Sequence, residues 1–157
     1  MLQMITNNLL EVVPSSRGSY VLQLHLVQAF SVAVGRLGVV QFPAGEYFYV
    51  GSAFGQGGLR ARLSRHFRLD AKRYHWHIDY LRTVAEVCGC FFEVSDQRLE
   101  CRWSQTLASL PSATIPVPRF GSTDCQSGCQ THLVSFPLDF DLTMLWPVLV
   151  EAASVPA

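Results

Sequence analysis

Half of the positive charge of this chain lies in one short segment that follows an aromatic strand. Residues 47–50 are three aromatic residues and a valine, a composition typical of a strand, and a glycine-rich turn separates them from the basic segment. Six of the 12 lysines and arginines fall between residues 60 and 73, where Asp70 is the single acid. Because the net charge of the chain is zero, the segment predicts a local cationic patch, which suits a phosphodiester substrate. The six residues are Arg60, Arg62, Arg65, Arg68, Lys72 and Arg73.

The composition predicts one soluble domain. Apolar residues make up 49% of the 157 residues and charged residues 15%, which excludes a disordered chain and allows a real core. The N-terminus lacks a signal-type segment, and the uncharged run at 142–150 is too short to span a bilayer. Five cysteines are an odd number, so free thiols are expected rather than a disulfide framework. We therefore expect a cytoplasmic protein with no membrane partner.

The first half of the chain has the pattern of an antiparallel meander. Leu22, Leu24 and Leu26 share one face of a strand, because side chains alternate along it. Glycines separate the shorter β-rich runs that follow, and residues 1–18 predict a loosely attached lead-in. The predicted strands are 20–27, 31–34, 37–42 and 47–50.

The second half begins with an amphipathic helix at 58–68. Leu59, Leu63 and Phe67 share a stripe of this helix that faces the core. No repeat or linker divides the chain, so one α/β domain spanning residues 1–157 is predicted. The remaining predicted elements are a short helix at 76–82, a strand at 84–94, a helix at 98–110 and a strand at 131–136.

Two tyrosine motifs and the basic helix together resemble the GIY-YIG nuclease superfamily. A Gly-Ser-Tyr triplet ends at Tyr20, and a Tyr-Val-Gly triplet begins at Tyr49. The helix places Arg62 one turn before His66. The resemblance is closer still to an uncharacterised GIY-YIG-like family of prokaryotic proteins, which shares the Trp-His-Ile-Asp sequence that begins at Trp76.

The resemblance covers about residues 17–136 and leaves 137–157 as a C-terminal extension. It implies a small mixed, mainly antiparallel sheet that is flanked by helices. The two tyrosine motifs are usually close together in the superfamily, whereas Tyr20 and Tyr49 are 29 positions apart. The first hairpin is therefore expected to be enlarged.

The resemblance also implies metal-dependent hydrolysis of nucleic acid by an endonuclease. Tyr20 would orient or deprotonate the attacking water, and Tyr49 would hold a phosphate oxygen or that water. Arg62 would neutralise charge on the transferring phosphoryl group, and His66 would relay a proton or bind phosphate. Glu100, at the start of a predicted helix, would hold one Mg²⁺ or Mn²⁺ ion per site.

DNA or RNA is the partner that this function implies. Each site residue also has a structural interpretation: Tyr20 and Tyr49 as strand aromatics, Arg62 as a solvated helix charge, His66 as a histidine at the edge of the core, and Glu100 as an acid that favours a helix N-terminus. Asp79 is expected to be structural rather than a metal ligand. The residues expected to bind the nucleic acid are Arg60, Arg65, Arg68, Lys72, Arg73 and His75.

The chain departs from the superfamily at its asparagine. Members often complete the site with an asparagine, but no asparagine follows Asn8 in this chain. Gln130 or His132 could take its place. The alternative function is therefore a non-catalytic nucleic-acid-binding or assembly module on the same fold.

Two cysteines and a histidine lie close together in the segment 124–132. Cys125, Cys129 and His132 carry side chains that zinc binds, but a closed zinc site needs a fourth ligand. Asp124 is the only adjacent candidate. Two interpretations stay open: a structural zinc site, and a tight loop with buried thiols, which the missing ligand favours.

Overall fold

The computed structural model describes residues 3–5, 11–68 and 73–155, and seven strands lie in these ranges. They are β1 (Gln3–Ile5), β2 (Gly18–Leu26), β3 (Phe30–Ala33), β4 (Val39–Phe42), β5 (Gly45–Ala53), β6 (Glu86–Val94) and β7 (Leu133–Phe136). Five of them form the main sheet in the spatial order β1-β6-β2-β5-β7, and β3 pairs with β4 in a second, smaller sheet. All of these pairings are antiparallel.

Helices flank the main sheet. Those of the described ranges are α1 (Gly58–Phe67), α2 (His77–Leu81), α3 (Glu100–Ala108) and α4 (Leu145–Ser154). The longest, α1 and α4, have ten residues each. Within the described ranges, no helix combines the length and the apolar character that a bilayer crossing requires.

The predicted fold class is confirmed, including its enlarged first hairpin. β2 and β5 pair along their whole length, from Gly18 opposite Ala53 to Leu26 opposite Gly45. The connection between these two strands contains β3 and β4, which explains the wide separation of the two tyrosine motifs. The sheet was expected to be mixed, whereas the described strands pair only in the antiparallel sense.

The central strands of the main sheet are buried on both faces. On one face, Tyr20 and Leu22 of β2 lie in a core that includes Leu59 of α1. On the other face, Val21 lies in a core that includes Trp103 of α3. Because successive side chains of a strand point to opposite faces, this arrangement directs Tyr20 toward α1.

The segment before β2 is firmly attached, so the prediction of a loose lead-in is wrong for its described part. β1 pairs with β6, and Val13 is fully buried. The carbonyl groups of Pro14 and Ser16 accept hydrogen bonds from the backbone N–H groups of Arg60 (3.0 Å) and Leu59 (2.9 Å). These bonds satisfy donors at the start of α1 that have no partner within the helix.

The C-terminal extension contains α4, a helix that sequence analysis missed. Leu145 and Leu149 of α4 are fully buried. Arg102 and the indole N–H of Trp103, both in α3, donate hydrogen bonds to the carbonyl groups of Ala152 and Leu149, each at 3.2 Å. α4 therefore covers α3 and fixes its position against the sheet.

Candidate active site

A cleft of about 620 Å³ lies where β2, β5, α1 and α3 meet. It is lined by residues that are far apart in the sequence, including the segment 121–132 that precedes β7. The residues predicted for catalysis or magnesium binding that line it are Tyr20, Tyr49, Arg62 and Glu100.

Strand register places the two predicted tyrosines side by side. Tyr20 of β2 lies opposite Gly51 of β5, and Leu22 lies opposite Tyr49. Tyr20 and Tyr49 are therefore diagonal neighbours on one face of the sheet, where long side chains come within reach of each other. A Cβ atom at position 51 would lie against the ring and hydroxyl group of Tyr20, so a larger residue there would displace the Tyr20 side chain.

His66 lies behind the tyrosines rather than at the cleft surface. Its side chain is fully buried, and its Nε2 atom lies 2.8 Å from the hydroxyl oxygen of Tyr20. The rings of Tyr49 and His66 meet edge-on, with 6.2 Å between their centroids. Tyr20 and His66 thus form a buried phenol–imidazole pair, in which Tyr20 is the member that reaches the cleft.

Both phenol groups are protonated at neutral pH, and burial makes them harder still to ionise. Burial raises the pKa of Tyr20 and that of Tyr49 well above the usual value for tyrosine. The negative charge of Glu100 raises the pKa of both groups further, while the positive charge of Arg62 lowers it. Either tyrosine can therefore act as a hydrogen-bond donor, or as a group that accepts a proton only while passing its own proton on.

Arg62 is held at the cleft by an aromatic ring. Its guanidinium carbon lies 4.2 Å from the centroid of the Trp76 ring, and that of Arg65 lies 4.6 Å from the same centroid. The electron-rich face of an indole ring attracts such cations. Because the charge of Arg62 lowers the pKa of both cleft tyrosines, its field reaches the centre of the cleft.

Glu100 reaches the cleft from the first position of α3. Its side chain is only 19% exposed. The start of the helix is tied to β2, because the hydroxyl oxygen of Ser19 accepts a hydrogen bond of 2.9 Å from the backbone N–H of Leu99. Ser19 precedes Tyr20, so this bond joins the start of α3 to the strand that carries the first tyrosine.

Arg98 is a cleft residue that sequence analysis missed. Its guanidinium group lies 3.7 Å from the carboxylate of Glu100 and donates a hydrogen bond of 2.7 Å to the hydroxyl group of Ser52. It also lies over the ring of Phe54, at 4.6 Å from the centroid. Its role could have been predicted from the sequence, because Arg98 lies two residues before Glu100 and both charges are therefore near the start of α3.

Two of the arginines predicted to bind nucleic acid are held by contacts within the protein. Arg60 donates a hydrogen bond of 2.7 Å from Nε to the carbonyl group of Val13. Arg65 donates to the carboxylate of Asp79 at 2.6 Å and to the carbonyl group of Arg73 at 3.2 Å. The side chain of Asp79 is fully buried, so its contact with Arg65 is structural, in line with the role predicted for Asp79.

The other predicted nucleic-acid-binding residues lie near the end of α1 and before α2. Arg68, Arg73 and His75 are exposed, whereas Lys72 lies outside the described residues. The ring of His75 contacts that of Trp76 edge-on, with 4.9 Å between their centroids. Their role in binding nucleic acid stays a prediction.

Of the two residues suggested as replacements for an asparagine, His132 lines the cleft. Gln130 is exposed and is not among the described residues of the cleft wall. Burial lowers the pKa of His132, so its ring is neutral at pH 7 and can act as a metal ligand.

Four potential metal ligands converge at the wall of the same cleft. The donor atoms of Cys101, Cys125, Cys129 and His132 all lie within 4.8 Å of one another. The candidate for a fourth ligand, which the sequence appeared to lack, is therefore Cys101 of α3 rather than the adjacent Asp124. Sequence analysis missed it because Cys101 is 24 positions before Cys125 and only the fold brings them together. All five cysteines are free thiols, as predicted.

Comparison with known proteins identifies the family of the chain. A family model described as a domain of unknown function, DUF123, matches residues 19–151. The match covers most of the chain, so the chain belongs to this family. No curated protein and no solved structure matches it. Membership of an uncharacterised family is thus confirmed, whereas the relation to GIY-YIG nucleases stays a prediction.

Proposed function

We propose that the protein is an endonuclease that hydrolyses phosphodiester bonds of DNA or RNA with a divalent cation. The observation that supports this most directly is the convergence of Tyr20, Tyr49, Arg62 and Glu100 on one cleft. These residues come from four different elements, and their individual structural roles would not require them to meet. Phenol groups, a fixed cation and a carboxylate are suited to phosphoryl transfer to water.

In this proposal, Tyr20 and His66 activate the attacking water. Because the phenol of Tyr20 is protonated and burial raises its pKa further, Tyr20 takes a proton from water as it gives its own to His66. The two atoms that exchange this proton are 2.8 Å apart, which is within reach of direct transfer. The water oxygen bonds to phosphorus, the bond to the leaving oxygen breaks, and solvent protonates the leaving oxygen.

Arg62 and Tyr49 stabilise the charge of the transferring phosphoryl group. The guanidinium group of Arg62 is already held over Trp76, so it needs little reorganisation when charge develops. The neutral phenol of Tyr49 donates a hydrogen bond to a phosphate oxygen. Arg98 also lines the cleft and supplies a second positive charge.

Glu100 and Asp124 are the carboxylates that would hold Mg²⁺ or Mn²⁺. Both line the cleft, and the negative charge of each raises the pKa of Tyr49. Magnesium is usually bound by one or two carboxylates together with water and substrate phosphate oxygens, so this set of donors fits one ion. When bound, the ion neutralises charge on the phosphate and on the leaving oxygen.

The proposal predicts metal-dependent cleavage by the purified protein. Labelled single-stranded and double-stranded DNA and RNA should be cut in the presence of Mg²⁺ or Mn²⁺, and denaturing electrophoresis measures the fragments. Replacing Mg²⁺ with Ca²⁺ is a better control than a chelator, because it does not extract metal from thiolate sites. Binding without cleavage of every substrate would replace this proposal with the non-catalytic module.

One observation favours that non-catalytic alternative. The chain has no asparagine after Asn8, and the Nε2 atom of its cleft histidine, His132, lies 3.9 Å from the sulfur of Cys101. A histidine that belongs to a metal cluster cannot also supply the contacts of an asparagine to substrate. In this alternative, the same cleft and basic residues bind nucleic acid without turnover.

Salt dependence tests the contribution of the exposed basic residues to binding. We expect affinity for nucleic acid to fall steeply with salt, and the double variant Arg68→Ala/Arg73→Ala to reduce the slope of log affinity against log salt by about 2. Both residues are exposed, so the fold should be retained. Fluorescence anisotropy across a salt series measures the slope.

Arg36→Ala is the matched control for this experiment, because Arg36 is exposed in the short turn between β3 and β4. It should leave the slope unchanged. If the double variant also kept the wild-type slope, these two arginines would not belong to the interface.

A further inference from the structure

We propose that Cys101, Cys125, Cys129 and His132 bind one zinc ion in a closed tetrahedral site. Zinc holds sulfur ligands at about 2.3 Å and nitrogen ligands at about 2.0–2.1 Å, which places the ligand atoms of a tetrahedron about 3.5–3.8 Å apart. The sulfur atoms of Cys101 and Cys125 are 3.4 Å apart, and the sulfur of Cys101 is 3.9 Å from Nε2 of His132. The first of these two distances is slightly shorter, and the second slightly longer, than the spacing of ligand atoms around a tetrahedral zinc ion.

The chemistry of the four donors selects zinc among the common metals. Three thiols and one imidazole form a soft donor set without a carboxylate, whereas magnesium and calcium prefer oxygen ligands. Four protein ligands complete a tetrahedral shell and leave no position for substrate, so the site is structural. It is therefore distinct from the Mg²⁺ or Mn²⁺ site proposed at Glu100.

The backbone around the four ligands is shaped to bring them together. Gly128, in the turn between the two loop cysteines, has φ +71°, a conformation that other residues rarely adopt. The backbone N–H of His132 donates a hydrogen bond of 2.8 Å to the carbonyl group of Phe120, which fixes the position of this residue. The N–H of the neighbouring Gly121 donates a hydrogen bond of 3.0 Å to Nδ1 of His77.

The zinc site would connect the two walls of the cleft. Cys101 follows Glu100 at the start of α3, and Cys125 follows Asp124 in the segment before β7. A metal bound to both cysteines therefore fixes the positions of the two cleft carboxylates. A disulfide between Cys101 and Cys125 would need the sulfur atoms at about 2.05 Å, and it would not account for the convergence of Cys129 and His132.

Metal analysis of the purified protein tests the site. Protein prepared in reducing buffer without chelators should contain one zinc ion per chain. After exchange, Co²⁺ should show the visible bands of tetrahedral coordination and thiolate-to-metal charge transfer. Cys101→Ser should weaken Co²⁺ binding by about 100-fold or more, because the loss of a group that merely supports a ligand already costs about 10–100-fold. Cys88→Ser, at a half-buried free thiol of β6, should retain the wild-type metal content.

Three results would overturn the assignment. The first is a wild-type protein that binds neither zinc nor Co²⁺, and the second is a Cys101→Ser variant with the metal content of the wild type. The third is a count of three rather than five reactive thiols after denaturation in chelator. The last result would indicate a disulfide in the cluster. If Cys101→Ser does not fold, Cys101→His replaces it, because imidazole also binds zinc. Cys101→His should keep one zinc ion and show weaker charge-transfer bands with Co²⁺. A Cys101→His protein that folds but contains no metal would contradict the site. None of these measurements depends on nuclease activity.

Discussion

Glu100→Gln is expected to lower the rate of nucleic-acid cleavage by about 10²–10³-fold, the range for removing a group that stabilises the transition state. Glutamine keeps the size of the side chain but loses the charge that would hold the divalent ion. Because that charge acts mainly as the leaving oxygen becomes negative, binding of the nucleic acid should change little. Single-turnover cleavage at several Mg²⁺ concentrations, together with anisotropy, separates the two effects.

Two measurements make this result specific to the carboxylate of Glu100. Glu151→Gln removes an exposed carboxylate from α4 and should leave cleavage unchanged. The zinc content of Glu100→Gln should equal that of the wild type, which excludes an indirect effect through the neighbouring Cys101. Full activity in Glu100→Gln would show that the carboxylate of Glu100 does not hold a catalytic ion.

The sequence predicts the part of the cleft that follows from regular periodicity. The alternation along β2 turns Leu22, Leu24 and Leu26 inward and the apolar stripe of α1 turns Leu59 and Leu63 inward, where all five are fully buried. The meeting of Tyr20 and Tyr49 was expected from the family resemblance and depends on the register of β2 and β5. Such patterns are visible in a sequence because one face of each element has to be buried. Phe67, predicted for the same stripe, is only partly buried at the end of α1.

The sequence does not reveal contacts that the fold creates between distant segments. β1 was missed because it has only three residues. α4 was missed because the uncharged run at 142–150 was considered only as a membrane span, although a short 3₁₀ turn capped by Asp141 leads directly into the helix. Sequence analysis assigned no role to Cys101, because the other three members of its Cys/His cluster lie in a segment that begins 24 residues later. A cluster assembled from distant segments has no local spacing pattern to detect.

The partners of charged side chains are hidden for the same reason. The basic segment indicates a cationic patch, but the fold turns Arg60 toward the carbonyl group of Val13 and Arg65 toward Asp79. Both arginines therefore make contacts within the protein and also contribute to the positive charge of the patch. The sequence alone does not show which arginines have a partner within the protein, because a solvated arginine and a paired arginine can occur in the same sequence pattern.

Arg65→Ala is expected to destabilise the protein by about 3–5 kcal/mol, the usual cost of removing one member of a buried ion pair. The carboxylate of Asp79 is fully buried. It accepts hydrogen bonds from Arg65 at 2.6 Å and from the backbone N–H groups of His75 and Trp76 at 2.8 and 3.1 Å. Removing the guanidinium group takes away the cation that contacts this buried negative charge at 2.6 Å, while the charge of Arg82 continues to act on it. Urea denaturation measures the loss as a lower midpoint at an unchanged slope.

The control and the double variant decide whether the effect belongs to the ion pair. Arg73→Ala changes an exposed side chain of the same basic segment and should alter stability by no more than about 0.5 kcal/mol. Asp79→Asn in the Arg65→Ala background should cost less than it does alone, with a coupling energy of about 0.5–3 kcal/mol. A loss in Arg65→Ala no larger than that in Arg73→Ala would show that the contact with Asp79 contributes little to stability.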